Sequence, residues 1–410
     1  MHPIKTIIVM RLQSINIRTK AFAFIAFVAS SCVLHAQTPA FARGADVSWC
    51  TEMEADGKKF FNADGQETEI MALMKQIGMN SVRLRVWGNP ENNYGAWSDK
   101  ADVLVKAKRA QAQGLAIMID FHYSDFFADP GRQDKPAAWT SLSMADLKKA
   151  VTSHTVDILN ALKAEGVSPQ WVQVGNETRS GMIWDSGKID WSKSGSAAWA
   201  NYIALSNAGY DAVKSVMPQA KVIVHIDKGP DDNAWFFKAF KQYGGKFDMI
   251  GLSHYPESDW KNENAKTIAN IKSLATQFGV PVMIVETGYN ASNESLAAQV
   301  MNDLMTKAKA SAQCAGVFYW EPEVYGWWKP AYYTKLGWNA YNKGAFTSQG
   351  RPSAALAPFF DPADGISKMQ AGTEGHTEAI FNLAGQKTTS LKRGVAIEYG
   401  NGRARKVLRR

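Results

Sequence analysis

The sequence has little of what marks several common protein classes. Only three of its 410 residues are cysteines, and two of these, Cys50 and Cys314, lie beyond the N-terminal segment. If they occupy opposite ends of two strands, they are too far apart for a disulfide, so we expect two small buried side chains. The seven histidines form no HxH or HExxH spacing, which excludes the usual zinc-hydrolase motifs. We therefore expect neither a metal site nor a cofactor.

Long apolar runs are also scarce. The exception, Ala21–Leu34, follows Arg18 and Lys20 and has the length of the apolar region of a signal peptide. No other run approaches the roughly 20 apolar residues that span a bilayer. We predict that residues 1–36 form a signal peptide cleaved after Ala36, with lipidation of Cys32 as the alternative. In both cases the protein is expected to be secreted, periplasmic or on the cell surface, without a membrane span.

The net charge of +8 comes from the two ends of the chain. Residues 1–36 carry four Lys or Arg and no acid, and residues 387–410 carry eight against one glutamate. The body between them is mildly acidic. This distribution argues against a nucleic-acid partner, which would require a basic surface on the folded body.

The body alternates strand and helix patterns. Eight apolar, β-branched runs predict strands at Gly44–Trp49, Ser81–Trp87, Ala116–Tyr123, Trp171–Glu177, Lys221–Asp227, Met249–Tyr255, Pro281–Tyr289 and Ala315–Pro322. Amphipathic stretches follow them, the last being Pro352–Phe360. This order predicts an α/β fold, a (β/α)8 TIM barrel over residues 37–362, with the active site at the carboxyl ends of the strands. A doubly wound sheet would more often carry a glycine-rich turn after its first strand, and this chain has Trp49-Cys50-Thr51-Glu52 there.

Polar side chains stand at all eight predicted strand ends, and two of them are glutamates that directly follow apolar runs, Glu177 and Glu286. The others are Asp46, Arg85, Trp87, Asp120, His122, Asn176, His225, Asp227, His254, Tyr255, Trp320 and Glu321. Burying a carboxylate at the end of an apolar strand costs free energy, so its presence there suggests a functional role. Two carboxyl groups, one protonated and one ionised, are what the hydrolysis of a sugar acetal requires. The sequence therefore predicts a glycoside hydrolase.

The two glutamates can be given separate roles. We expect Glu286 to be the nucleophile, kept ionised by the charge of Arg85 and by a hydrogen bond from Tyr255. Glu177 is then the acid/base, and Asn176 beside it could bind the sugar 2-hydroxyl. Tryptophans in the strand-end loops, Trp327 and Trp328 above all, are expected to form a cleft wall on which sugars stack.

Longer strings strengthen this interpretation. The segments Gly44–Trp49, Arg83–Trp87, Asp120–Asp125, Ala128–Gly131, Lys135–Trp139, Val174–Glu177 and Tyr319–Pro322 strongly resemble the arabinogalactan endo-β-1,4-galactanases, glycoside hydrolase family 53. The resemblance runs from about residue 41 to residue 362. It implies a retaining enzyme that cuts β-1,4-galactan internally, with Glu177 as acid/base and Glu286 as nucleophile. It also implies that Arg85, His122, Asn176, His254, Tyr255 and Trp320 bind sugar.

The resemblance does not extend to every property of the family. Some members bind calcium through acidic loops, but the loop from Thr287 to Glu294 is short and has a single acid, so no calcium site is expected. Residues 363–410 are expected to be a linker followed by a small β-module that weakly resembles a type IX secretion sorting tail. An endo-β-mannanase or xylanase of the same barrel type remains an alternative, as does a non-catalytic surface glycan-binding protein. We expect a monomer whose partner is a galactan polysaccharide.

Overall fold

The computed structural model describes residues 39–90 and 97–360, and in the tail only the backbone of four strands. Eight parallel strands close a barrel in sequence order, with β1 paired to both β2 and β8. They are β1 Ala42–Asp46, β2 Ser81–Val86, β3 Ala116–Phe121, β4 Trp171–Val174, β5 Lys221–Ile226, β6 Met249–His254, β7 Val282–Thr287 and β8 Cys314–Trp320. The predicted barrel is confirmed.

Helices alternate with the strands along the chain. In chain order they are α1 Cys50–Ala55, α2 Ile70–Gln76, α3 Lys100–Ala112, α4 Met144–Ala164, α5 Ser196–Val216, α6 Ala234–Gln242, α7 Trp260–Phe278, α8 Glu294–Lys309 and α9 Ala331–Leu336. Helix α4 is typical. Ser143 caps its first turn by accepting from the Asp146 N–H at 3.2 Å, and its buried residues recur every three or four positions from Leu147 to Leu162.

Two local predictions at the end of β1 were wrong. Strand β1 ends at Asp46, because the Asp46 carboxylate accepts the Ser48 N–H at 3.0 Å and turns the chain out of the ladder. Cys50 therefore begins α1 instead of closing β1. The stretch Pro352–Phe360 forms a short 3-10 helix, Ala354–Phe359, with Pro358 inside it. Both Cys50 and Cys314 are buried and free, as expected.

The tail forms a separate antiparallel sheet. Its strands are β9 Ala379–Phe381, β10 Lys387–Thr388, β11 Gly394–Gly400 and β12 Arg403–Arg409, in the spatial order β10-β9-β11-β12. The pairing agrees with the β-type tail expected from the sequence. Its function as a sorting signal stays a prediction.

Side chains inside the barrel form two layers. The lower layer is apolar and consists of Ala42, Ala116, Met118, Trp171, Ile223, Met249, Met283, Val285 and Phe318. Residues that alternate with these, such as Val282 and Ile284, belong to the larger core under the helices. The upper layer, toward the carboxyl ends of the strands, is polar and contains the candidate site.

Gly44 tests how tightly the lower layer is packed. It is paired with Phe318 across β1 and β8, and a Cβ atom at position 44 would lie 2.3 Å from the Phe318 ring. We expect Gly44→Ala to destabilise the protein by about 1–3 kcal/mol through overpacking, measured by urea unfolding. Phe318→Leu should recover part of that loss when combined with it, because the clash is pairwise. Full stability of the single variant, or strict additivity in the double variant, would contradict this packing.

Candidate active site

The two predicted catalytic glutamates reach the same cleft through irregular backbone. In β7, strict alternation would turn Glu286 to the helix side, since Met283 and Val285 face the interior. The register against β6 shifts by one residue at this point, so that Leu252 pairs with Ile284 but Ser253 pairs with Glu286. This bulge turns Glu286 inward. Gly175, two residues before Glu177, has a φ of 86°. Glu177 itself has a φ of 48°, a left-handed conformation that few residues other than glycine adopt.

Arg83 holds the Glu286 carboxylate. Its guanidinium is fully buried and lies 2.8 Å from Glu286 Oε1. The same group contacts Asp46 Oδ2 at 2.7 Å and Asp120 Oδ2 at 2.8 Å. From the other side of the cleft, the Tyr255 hydroxyl donates to Glu286 Oε2 at 2.9 Å. Glu286 thus has a donor on each oxygen, which stabilises its ionised form.

The expected partnership between Arg85 and Glu286 is wrong. Arg85 Nη1 binds Glu321 Oε1 at 2.8 Å, and its guanidinium lies 4.6–5.5 Å from the ring centres of Phe127, Trp87 and Trp49. These rings and the ion pair hold Arg85 on Glu321, which directly follows β8. Arg83, two residues earlier and on the same inward face, spans the barrel instead.

Glu177 lies in an environment that favours its protonated form. Burial raises its pKa well above the usual range, and the negative charges of Glu286, Asp227 and Asp129 raise it further. A hydrogen bond from the Ser253 hydroxyl acts in the opposite direction. Burial also raises the pKa of Glu286, but the Arg83 charge opposes this. When one proton is shared by the pair, it therefore resides on Glu177.

The histidines near the site are neutral. His122 Nδ1 accepts the Ala128 N–H at 2.9 Å, so its Nε2 carries the proton that faces Asp120 Oδ2 at 2.9 Å. Burial lowers the pKa of His122 and lowers that of His225 well below its usual value. His225 Nε2 lies 2.8 Å from Ser253 Oγ. The two rings position neighbouring groups and add no charge to the cleft.

The cleft has a volume of about 300 Å³. Its walls combine aromatic rings with polar groups, the composition expected of a sugar site. The lining residues are His122, Phe127, Ala128, Asp129, Asn176, Glu177, Tyr255, Glu286, Trp320, Tyr333, Trp338, Tyr341 and Lys343. Six residues that the sequence analysis assigned to the site are among them: His122, Asn176, Glu177, Tyr255, Glu286 and Trp320.

The other predicted binding residues do not line this cleft. Asp46 is fully buried by its contacts with Arg83, and Trp87 is fully buried among other rings. His254 alternates outward, where its Nε2 meets Asn264 Oδ1 of α7 at 2.7 Å. Trp328 packs its ring on Trp49 and donates to Asp56.

Trp327, next to Trp328, is 76% exposed and lies outside the cleft lining. Neither tryptophan lines this cavity, so the expected cleft wall from Trp327 and Trp328 stays a prediction. Tyr333, Trp338 and Tyr341, in and after α9, form part of the lining of the cavity. Among the residues that the structure describes, no group of three or more His, Cys, Asp or Glu side chains is arranged to hold a metal ion.

This arrangement can be compared with known proteins. The model of glycosyl hydrolase family 53 matches residues 42–360. The chain belongs to this family. An endo-beta-1,4-galactanase of Bacillus subtilis is 30% identical, over 86% of this chain and 85% of the relative. An arabinogalactan endo-beta-1,4-galactanase of Thermothelomyces thermophilus is 29% identical, over 77% of this chain and 98% of the relative.

Solved structures agree with this assignment. A structure described as a fungal beta-1,4-galactanase superposes with a TM-score of 0.67 at 26% identity, covering 77% of this chain and 98% of that one. The family 53 catalytic domain of Ignisphaera aggregans gives the same TM-score at 27% identity, covering 78% of this chain and 96% of that one.

Sequence reasoning missed two polar residues that act directly on the glutamates of this family 53 site, Arg83 and Ser253. Both could have been found from the alternation of side chains along a strand. In β6, Gly251 faces the barrel interior, which places Ser253 inside and His254 outside. In β2, Arg83 and Arg85 share the inward face. Alternation does not reveal which of the two arginines reaches across the barrel.

Ser253 should affect the pH dependence of the reaction. Its hydroxyl favours the ionised form of Glu177, so Ser253→Ala should raise the Glu177 pKa and move the alkaline limb of kcat/KM to higher pH. We also expect a roughly tenfold fall in kcat from looser positioning of the carboxyl group. Full pH–rate profiles measure both effects.

Two variants control for a structural effect. Ser253→Thr keeps a hydroxyl and should restore the profile. Ser206→Ala removes a buried hydroxyl from α5 and should leave the profile unchanged. A lower rate in Ser253→Ala with an unmoved alkaline limb would mean that Ser253 does not act through Glu177.

Proposed function

We propose that this chain is an endo-acting, retaining hydrolase of β-1,4-galactosidic bonds in galactan or arabinogalactan. The observation that carries the proposal is the pair of glutamates that line one cleft, one next to the Ser253 hydroxyl and the other on Arg83 and Tyr255. Membership of family 53 and the named relatives support the substrate.

In the first step, Glu177 is the general acid and Glu286 the nucleophile. The Glu286 carboxylate attacks the anomeric carbon, and the bond to the leaving oxygen breaks as Glu177 transfers its proton to that oxygen. A glycosyl-enzyme ester forms at Glu286. Negative charge has then moved from Glu286 to Glu177, where the Ser253 hydroxyl can donate to it.

In the second step, the Glu177 carboxylate accepts a proton from water. The water oxygen attacks the anomeric carbon and expels Glu286, which returns to Arg83 and Tyr255 as a carboxylate. Two inversions give net retention. Asn176 is fixed by an N–H donated to Ala128 O at 2.8 Å, and its second amide hydrogen can bind the sugar 2-hydroxyl.

The substrate is tested by comparing polysaccharides. Reducing-sugar release from potato galactan should be fast, and release from β-1,4-mannan and xylan should be at background. Activity on mannan or xylan instead would favour a neighbouring barrel hydrolase. Tight binding of galactan without release of sugar would favour a glycan-binding protein.

The roles of the two glutamates are tested by removing each carboxylate. Glu177→Ala should still attack an aryl galactoside whose phenol is acidic, because that leaving group needs no proton, but should lose roughly 10²–10⁴-fold on galactan. A glycosyl-enzyme should accumulate at Glu286, visible by mass spectrometry. Glu286→Ala should be inactive on both substrates.

Azide separates the two roles by stereochemistry. Added to Glu177→Ala it should yield a β-glycosyl azide, because it attacks the glycosyl-enzyme. Added to Glu286→Ala with an activated substrate it should yield the α-glycosyl azide by direct displacement. If NMR shows the two products exchanged between the variants, the acid/base and the nucleophile have been assigned the wrong way round.

We further propose that the protein acts outside the cytoplasm. No helix among the described residues has both the length and the apolar character of a membrane span. The proposed signal peptide, residues 1–36 with Cys32, lies outside the described residues, and the proposed sorting module corresponds to β9–β12. We propose a monomer, since the cleft residues of one chain already include both glutamates.

A further inference from the structure

Two exposed tryptophans lie side by side on the surface of the barrel. Large apolar residues that remain well exposed are few in the described part of the chain, and Trp191 and Trp235 are two of them, at 59% and 45% exposure. Their ring centres are 6.1 Å apart, and the ring planes are inclined by 57°. Exposed aromatic rings in contact with each other are costly in water and indicate a binding surface.

This Trp191–Trp235 patch is rigid. Trp199 lies beneath it at 4% exposure, and its ring makes edge contacts with Trp191 at 6.0 Å and with Trp235 at 6.5 Å. Trp235 also packs against Phe236, which is fully buried. Because the rings are already fixed, a ligand that stacks on them loses little side-chain entropy.

The patch belongs to the two loops that flank the acid/base. Trp191 lies in the connection from β4 to α5, which contains Glu177, and Trp235 lies in the first turn of α6, after the loop that begins at Asp227. An ion pair between Arg179 Nε and Asp227 Oδ1 at 2.7 Å joins these loops near Glu177. The patch therefore lies at the same end of the barrel as the cleft.

Polar groups border the rings. Asp190 precedes Trp191, accepts the Ser192 N–H at 3.1 Å and pairs with Lys193 at 2.9 Å. The Lys193 and Asp190 side chains are 59% and 40% exposed. A flat aromatic surface with exposed hydroxyl, carboxylate and ammonium groups at its edge matches a sugar, which has apolar C–H faces and a rim of hydroxyl groups.

We propose that Trp191 and Trp235 form a second galactan-binding site, outside the catalytic cleft, that holds the polymer while the cleft cuts it. This inference rests on the proposed function. A galactose ring is well suited to the site, because its axial 4-hydroxyl leaves the opposite face with C–H groups that stack on an indole. The axial linkage also bends the chain at each sugar, which fits two rings at 57° better than a flat mannan ribbon does.

The experiment measures polymer binding apart from catalysis. Glu286→Gln serves as the inactive background, and its dissociation constant for soluble β-1,4-galactan is measured by affinity electrophoresis with and without Trp191→Ala plus Trp235→Ala. We expect the double change to weaken binding about tenfold, and Trp191→Ala alone about threefold. Val105→Ala removes an exposed apolar side chain from α3 and should have no effect.

The same substitutions in the active enzyme separate this site from the cleft. The double variant should raise KM on galactan several-fold and leave kcat/KM on an aryl galactobioside unchanged, because a disaccharide occupies only the cleft. Trp191→Ala alone, at the more exposed position, keeps the comparison valid if the double variant melts at a lower temperature. The parent protein should bind mannan at least tenfold more weakly than galactan.

Three results would overturn the inference. Unchanged affinity of the double variant for galactan means that the patch does not bind the polymer. An equal loss on the galactobioside means that the patch acts through the cleft. Self-association that sedimentation detects in the parent and not in the variant assigns the patch to a second copy. A parent that does not cleave or bind galactan refutes the proposed function and this inference together, whereas the three results above leave the proposed function intact.

Discussion

The site depends on one buried guanidinium. Arg83 contacts Asp46, Asp120 and Glu286 within 2.8 Å and also donates to Gln173 and Asn176. Its partners come from β1, β3, β7, β4 and the residues just after β4, so a single side chain fixes the relative positions of much of the barrel mouth. Removing one member of a buried ion pair costs about 3–5 kcal/mol, and removing Arg83 would leave three carboxylates without their shared cation. Arg83 is therefore required for the stability of the fold as well as for catalysis.

Asp120 and Glu286, two of the carboxyl groups that share the Arg83 charge, differ in pKa. Burial acts to raise the pKa of the Asp120 carboxyl, but Arg83 and His122 together lower it to about 2. For Glu286, burial outweighs Arg83, and the pKa is raised. For Glu177, burial raises the pKa well above its usual range, and the charge of Glu286 raises it further. Two chemically identical side chains thus acquire the different proton affinities that an acid and a nucleophile need, because Arg83 opposes the effect of burial at Glu286 and the Glu286 charge adds to it at Glu177.

The barrel and six of the residues that line the cleft follow from the sequence, because parallel strands all end on one face and residues after each apolar run must meet there. That reasoning placed Glu177, Glu286, His122, Asn176, Tyr255 and Trp320 in one cleft. It was wrong for His254, whose position along β6 turns it toward α7, and for Arg85, which the aromatic rings and an ion pair hold on Glu321. Alternation could have corrected the first error. The second depends on packing between residues distant in the sequence, which no local pattern contains.

The least predictable feature is the one that places the nucleophile. Regular alternation along Val282–Thr287 would point Glu286 at the helices, where an ionised carboxylate would be buried without Arg83. The register shift beside Ser253 turns it into the cleft, and at Glu177 a left-handed backbone has a comparable effect. The bulge gives up some hydrogen bonds of the ladder, and the left-handed residue costs backbone conformational energy. Both occur at strand ends, where fewer ladder bonds are lost. The carboxyl ends of the barrel strands are thus where two glutamates can be turned toward each other at the smallest cost to the fold.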